Sequence, residues 1–356
     1  MPNAILTQAI DALASRDDLS AEQTAEVLGE IMHGEVSETQ IAAFLIALRT
    51  KGETVEELAG LARTMRELAA HVPSERHDLL DTAGTGGGRS TFNVSTTAAL
   101  IAAGAGCAVA KHGNRSATSK SGSADLLEAL GARIDLAPDG VAACIDDAGF
   151  GFMFAPAHHQ ATRFVVPVRR ELAVRTIFNL LGPLTNPAGA RRQLIGVSER
   201  RFLPTIAGAL AKLGVDRALV VASEDGLDEI SASAPTNVIE VNGEEITSYL
   251  LTPQELGVEP ASDSAPGRGF TGGTPQENAA VTTAILQGGP RASRRAPGEG
   301  LAAVNAGAAI YAAGRAQTIA EGVEAAREAI ADGRAAATLE RYVQASHKHA
   351  PAEALR

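Results

Sequence analysis

The sequence predicts an α/β protein: a small helical bundle at the N-terminus, then a large domain with a mostly parallel central sheet flanked by helices. Capping boxes recur through the first 72 residues. After residue 78, short apolar runs alternate with helical periodicities, the signature of right-handed crossovers between parallel strands. Each of those runs ends in a polar or glycine-rich loop. The expected division is a helical domain over 1–72, joined by a segment near 165–190, and an α/β domain over 73–356.

The bundle is marked by "SAEQ" at Ser20–Gln23, "SETQ" at Ser37–Gln40 and "TVEE" at Thr54–Glu57. In each, a hydroxyl can accept the third helical amide while Gln or Glu reaches back. Apolar stripes fit the helical period: Val27, Leu28 and Ile31, then Ile41, Phe44, Leu45 and Leu48. Stops are expected at Gly34, at Gly52 and before Pro73. In the second domain "LLDTAG" reads as a strand, and Thr96–Ala105 as an Ala-rich helix. "GCAVAKHG" reads as a second strand, followed by the helix "ADLLEALG". "GFGFMFAP" is a third strand and "RALVVASEDG" a fourth, after a helix around Phe202–Leu213. Asn237–Leu251 reads as an antiparallel pair around "NGEE". Gly267–Pro297 is expected to be a long loop with one helix, and residues 301–346 to be Ala-rich helix.

Bulk composition narrows the function. The chain has 356 residues, 45 % apolar and 21 % charged, the profile of a globular protein. Trp is absent, aromatics are 3 % and the net charge is −11. That balance argues against nucleic acid as a partner, so an anionic substrate needs a local basic site set against the global field. Cys107 and Cys144 lack metal-type spacing and read as buried free thiols. No secretory signal or membrane-length apolar run is evident, so a cytoplasmic protein with no membrane partner is expected.

Four loops follow the carboxyl ends of the strands: "TAGTGGG", "AKHGNRSATSKSGSAD", "FAPAHHQATRF" and "ASEDGLDE". In an open parallel sheet, ligands bind in the crevice at those ends. The first loop has glycines that let backbone amides approach a phosphate, yet it lacks the Gly-Lys-Ser/Thr of a triphosphate loop. It fails the dinucleotide fingerprint too, because the sixth position from Gly84 is Arg89. The second loop gathers Lys111, His112, Arg115 and Lys120 with Ser116, Thr118, Ser119, Ser121 and Ser123, ahead of a helix beginning near Asp125. Hydroxyls and amides in that position suit a phosphate. In the fourth loop, adjacent Asp228 and Glu229 suit Mg2+ completed by substrate oxygens. His158 and His159 lack a third ligand at metal spacing and read as cleft-wall or structural histidines. No covalent nucleophile presents itself, which leaves transfer governed by positioning and charge neutralisation.

With these residues assembled, the chain resembles the anthranilate phosphoribosyltransferases of tryptophan biosynthesis along nearly its whole length. The resemblance rests on "GTGG", "FNVST", "KHGNRSATSKSGSADLLEALG", "PVRRELAVRTIFNLLGPLTNPA" and "DGLDE". It implies attack by the amine of anthranilate on C1 of 5-phosphoribosyl 1-pyrophosphate. By the same resemblance, Gly84, Gly86, Gly87, Thr91, Asn93, Ser95 and Thr96 surround the pyrophosphate, and Lys111, Ser119 and Ser123 hold the phosphoribosyl part. Ser95, Asp228 and Glu229 would bind Mg2+, two ions per active site. Gly84, His112, Asn114, Arg169 and Pro183 would line the anthranilate path, with Arg169 pairing the substrate carboxylate. The helical domain is expected to form a homodimer. Pyrimidine-nucleoside phosphorylases share this fold but lack "KHGNR" and "DGLDE" as they stand here. One departure is local: the family pattern "GTGGDG" is replaced at Gly88 and Arg89, which removes a carboxylate and implies weaker capture of excess Mg2+.

Overall fold

The computed structural model describes residues 1–116, 119–258, 271–288 and 298–351. Its N-terminal helices are α1 (Ala4–Ala14), α2 (Ala21–His33), α3 (Glu38–Lys51) and α4 (Val55–Glu67). The boxes at Ser20/Gln23 and Thr54/Glu57 are reciprocal. The one at Ser37 is only half formed: Ser37 caps the Gln40 amide, but the Gln40 side chain bonds the backbone of Asn3 at 3.0 and 2.9 Å. The second expected box therefore closes α1 onto α3 instead of closing on itself. Glu57 likewise does more than cap, because it accepts the Leu19 amide at 3.0 Å and pairs with Lys51 at 3.1 Å. Helices α2 and α3 stop at Gly34 and Gly52 as expected, while α4 ends at Glu67, well ahead of Pro73.

The following elements are β1 (Leu79–Gly84), α5 (Val94–Gly104), β2 (Ala108–Gly113), α6 (Ser123–Ala129), α7 (Pro138–Ala148) and β3 (Phe150–Phe154). Short helices α8 (Ala155–His158), α9 (Val166–Leu172) and α10 (Phe178–Leu181) lead to β4 (Arg192–Gly196), α11 (Leu203–Lys212) and β5 (Arg217–Ser223). The hairpin β6 (Thr236–Asn242) and β7 (Glu245–Leu251) comes next, then α12 (Pro275–Leu286). The Ala-rich tail resolves into three helices: α13 (Glu299–Ala312), α14 (Ile319–Ala331) and α15 (Arg334–Lys348). Of the expected Gly267–Pro297 loop, α12 is its one helix and much of the remainder lies outside the described residues.

The sheet has seven strands in the order β3-β2-β1-β4-β5-β6-β7. Pairing is parallel from β3 through β5 and antiparallel at β6 and β7. Strand β4 went unread in the sequence, so "RALVVASEDG" is the fifth strand and not the fourth. It is β4 that lies beside β1, with Leu80 to Gly84 in register with Arg192 to Gly196. From β1 the chain runs outward through β2 and β3; from β4 it runs outward the other way through β5. The crevice between β1 and β4 is thus the topological switch point, where open parallel sheets bind ligands.

Alternating side chains feed two cores. Leu194, Leu219 and Val221 pack under α5, α7 and α13 to α15. Ile195, Ala218 and Val220 face the other side, in one cluster with Leu28, Ile31, Phe44, Leu48 and Leu61 of the bundle and Ile206 of α11. Phe44, Leu45 and Leu48 are fully buried, each worth about 1.5–3 kcal/mol of burial. The helical bundle therefore shares its core with one sheet face and fixes one wall of the crevice.

Candidate active site

The glycine-rich turn and α5 form one side of the crevice. Gly86 and Gly87 have φ of +65° and +87°, which β-carbon-bearing residues adopt only with strain. A Cβ on Gly88 would lie 2.5 Å from Asp228 Oδ1 and 2.8 Å from its amide. The bare Gly88 is thus what lets the Asp228 loop close over the turn. Arg89 points away from the crevice: its amide bonds Gly226 O at 2.8 Å and its guanidinium meets Asp225 at 3.4 Å. The residue that departs from the expected pattern is therefore a clip between the two loops. Beyond the turn, α5 opens without a side-chain cap, and the hydroxyls of Ser95 and Thr96 lie in its first turn. The Thr96 hydroxyl is buried without a hydrogen-bond partner among the described residues. An uncapped helix N-terminus of this kind attracts anions.

Lys111, on β2, is buried beneath that turn. Its Nζ donates to Thr82 O, to Thr82 Oγ1 at 3.2 Å and to Ser95 Oγ at 3.4 Å. Burial pulls its pKa down, while Asp81 and Glu229 pull it up. Asp81, the one charged residue of strand β1, is wholly buried. It accepts the His112 amide at 3.1 Å and Asn186 Nδ2 at 2.8 Å. Desolvation raises its pKa to about 6, against the pull of Lys111. Asn186 also donates to Ala110 O at 2.8 Å and accepts the Ala188 amide at 2.9 Å. Asp81 and Asn186 hold the end of β2, and so they aim Lys111 and His112.

The carboxylate pair follows β5. Gly196, at the end of β4, gives the loop its path, since a Cβ there would lie 1.7 Å from Asp228 O. The backbones of Gly86 and Ser95 act to lower the pKa of Asp228 and of Glu229 respectively. Burial raises both acids, and repulsion from Asp228 adds to the shift of Glu229, which reaches about 8. Two desolvated carboxylates repelling one another call for a cation. Among the described residues no group of three or more His, Cys, Asp or Glu could hold a metal by itself. The donor set is hard oxygen, with Ser95 alongside, and it fits Mg2+ completed by ligand oxygens rather than a closed structural metal site.

The opposite wall is built by 165–190. Arg169 on α9 lies against the Phe178 ring, 5.5 Å from its centroid. Its guanidinium has no carboxylate or hydrogen-bond partner among the described residues, and desolvation lowers its pKa. His112 donates from Nδ1 to Gly182 O at 3.1 Å. Burial, then the neighbouring His159, push its pKa down to about 3, so the ring is neutral. Its buried Nε2 has no partner among the described residues and offers a lone pair. His158 and His159 bond Ala70 O and Thr185 O at 2.9 and 3.1 Å, which ties the bundle exit to this wall.

These surfaces enclose a cleft of about 1360 Å³. Gly84, Gly86, Gly87, Asn93, Ser95, Thr96, Lys111, His112, Asn114, Ser119, Ser123, Arg169, Pro183, Asp228 and Glu229 all line it. Thr91 does not; its carbonyl packs against Gly272, where a Cβ would lie 2.3 Å away. Arg115 lines the cleft but is not free: it pairs with Asp125 at 2.8 Å and Glu128 at 2.5 Å on α6. Asn93 is also engaged, bonding Ser121 O at 2.9 Å and Asn278 Nδ2 at 2.8 Å. Thr118 lies outside the described residues. Asp81, Asn186 and Arg175 were not singled out in the sequence, although a lone carboxylate in a mostly apolar strand was a readable signal for the first. No helix among the described residues is long and apolar enough to cross a membrane.

Comparison with known proteins agrees with this architecture. Residues 7–69 match the model of the glycosyl transferase family helical bundle domain, and residues 76–336 that of the glycosyl transferase family a/b domain. The anthranilate phosphoribosyltransferase of Symbiobacterium thermophilum is 48% identical over 94% of this chain and 96% of its own length. That of Rubrobacter xylanophilus is also 48% identical, over 97% and 98%. The Thermus thermophilus anthranilate phosphoribosyltransferase structure superposes with a TM-score of 0.88 at 45% identity, covering 95% of this chain and 99% of that one. The Saccharomyces cerevisiae enzyme in complex with PRPP and Mg gives 0.86 at 28% identity, covering 97% and 99%. With its helical bundle, its α/β domain and its full-length relatives, the chain belongs to the anthranilate phosphoribosyltransferase family of glycosyl transferases.

Proposed function

We propose that the chain transfers the 5-phosphoribosyl group from 5-phosphoribosyl 1-pyrophosphate to the amine of anthranilate, releasing pyrophosphate. This is the second step of tryptophan biosynthesis from chorismate. The observation that carries the reading is the division of one cleft into two chemistries. One wall offers an anion cradle with a carboxylate pair, and the other offers a desolvated arginine with no partner among the described residues. The Saccharomyces cerevisiae relative has been solved in complex with 4-fluoroanthranilate, which supports the acceptor assignment.

The division of labour follows. The Gly84, Gly86 and Gly87 turn and the α5 N-terminus, with Ser95 and Thr96, receive the pyrophosphate; Lys111, Ser119 and Ser123 hold the phosphoribosyl part. Asn93 acts here by fixing Ser121 and α12 around that site. Asp228, Glu229 and Ser95 hold Mg2+, two ions per site, which when bound supplies Lewis-acid charge for the departing pyrophosphate. Arg169 presents a planar fork to the anthranilate carboxylate, beside Gly84, Asn114 and Pro183. An arylamine is neutral at pH 7 and needs no strong base, so the neutral His112 serves by accepting an amine hydrogen and orienting the lone pair toward C1. We also read the protein as a cytoplasmic homodimer formed through the helical domain, where Ile46 on α3 is an exposed apolar side chain; a monomeric mass by light scattering would remove that assembly.

The test follows anthranilate fluorescence with donor and Mg2+ present, then with the metal chelated. Loss of fluorescence that requires both donor and metal is expected. Consumption unaffected by chelation would remove the metal role, and no consumption under any metal would remove the acceptor.

A further inference from the structure

The segment that carries Arg169 also carries Arg175, an arginine with partners of its own. Between them Ala173 takes φ +50°, a left-handed turn that costs a β-carbon residue about 1–2 kcal/mol. It redirects the chain so that Arg175 faces the glycine-rich turn. There the Arg175 guanidinium donates to Gly86 O and, at 3.5 Å, to Thr85 O. Its Nη1 donates to Ser198 Oγ at 2.9 Å and Glu199 Oε1 at 3.1 Å, beyond the end of β4. Gly87 leaves the room for this: a Cβ there would lie 2.8 Å from Arg175 Nη2. The backbone carbonyl of Arg175 in turn accepts Arg49 Nη1 of α3 at 2.7 Å. A small cavity of about 80 Å³ lies at this junction of bundle, turn and β4.

We propose that Arg175 is a positioning residue for the donor-binding turn, and that Arg49 and Arg175 together form a strut from the helical bundle to that turn. A trans peptide is planar, so its carbonyl and amide point in opposite directions. Pinning Gly86 O therefore fixes the direction of the Gly87 N–H, one of the amides that make the anion cradle. The position of α3 reaches the donor site through the same chain of bonds. Lysine can substitute only in part, because an ammonium lacks the fork that spans Gly86 O, Ser198 and Glu199 at once. The inference rests on reading this wall as the 5-phosphoribosyl 1-pyrophosphate site.

The experiment compares wild type with Arg175→Gln, Arg175→Lys and Arg49→Met. Amide hydrogen exchange over residues 84–88 is read without ligand, and donor with Mg2+ and anthranilate are titrated separately by calorimetry. Arg175→Gln should speed exchange in the turn, with the rest of the protein unchanged. It should weaken the donor about tenfold or more while leaving anthranilate within about twofold. Arg175→Lys should fall between, and Arg49→Met should shift both readouts the same way by less. Unchanged exchange and donor affinity in Arg175→Gln would overturn the proposal. Equal loss of both substrates with faster exchange throughout would overturn it as well, by marking a merely structural contact. A wild type that fails to bind the donor would sink the reading of the site, while exchange in the turn would still decide whether Arg175 positions it.

Discussion

Arg169 combines two properties that rarely coexist: a permanent charge and a desolvated position with no anion beside it among the described residues. Its contact with Phe178 offsets part of that cost through the ring quadrupole. An arginine held this way is prepared for a planar anion that brings its own charge. Arg169→Ala should raise KM for anthranilate about 10- to 100-fold, the loss of a charge-assisted pair, with KM for the phosphoribosyl donor little changed. Steady-state kinetics with each substrate varied in turn would decide it; equal effects on both would remove Arg169 from the acceptor site. His112 shows the contrasting case. The sequence offered it as one of four basic residues in its loop, yet burial makes it a neutral acceptor.

Loops, more than strands, decide what the cleft can do, and they differ in how legible they are. The glycine-rich turn, Lys111 and the Asp228/Glu229 pair were readable because residue type and position after an apolar run already imply their chemistry. Strand β4 was not, since its five residues open with Arg192 and Gln193 and leave too short a run for periodicity to register. With β4 went Gly196 and the switch point itself. The diversion of Arg115 to Asp125 and Glu128 was equally hidden, because an ion pair is settled by how a loop folds back on its helix and not by spacing. What the turn and the carboxylate loop need from one another is closeness at Gly88. Adding a methyl group in Gly88→Ala places a Cβ where only 2.5 Å separates it from Asp228 Oδ1. The carboxylate must then move, and the Mg2+ concentration for half-maximal rate should rise severalfold, with a stability loss of about 1–3 kcal/mol. A titration of rate against Mg2+ tests this; an unchanged midpoint would mean that the approach of Asp228 to Gly88 is incidental to metal binding.

At the scale of the molecule, bundle and sheet are joined by one continuous apolar core and by a polar seam running beside the cleft. His158 and His159 stand in that seam, their rings bonded to Ala70 O and Thr185 O, and His112 lies 5.1 Å from the His159 ring. Burial lowers the pKa of His159 from 6.5 to about 4 and that of His112 from 6.5 to about 3. Unfolding frees these rings to bind protons that the native state refuses. The stability they allow is present above 6.5 and is lost as pH falls through 6.5 toward their folded values. Asp81 works in the opposite sense: with its pKa raised to about 6, the folded protein takes its proton first, which adds stability as pH falls below that value. A wild-type profile therefore mixes both signs, and a single substitution separates them. In His159→Gln the side-chain amide can still donate to Thr185 O, but nothing remains to titrate. Between about pH 7 and 5 the wild type should lose on the order of 1–2 kcal/mol more stability than the variant. Denaturant melts of both proteins at the two pH values would measure the difference. Parallel losses would mean that His159 takes up its proton before global unfolding, through a local opening of the seam between bundle and sheet.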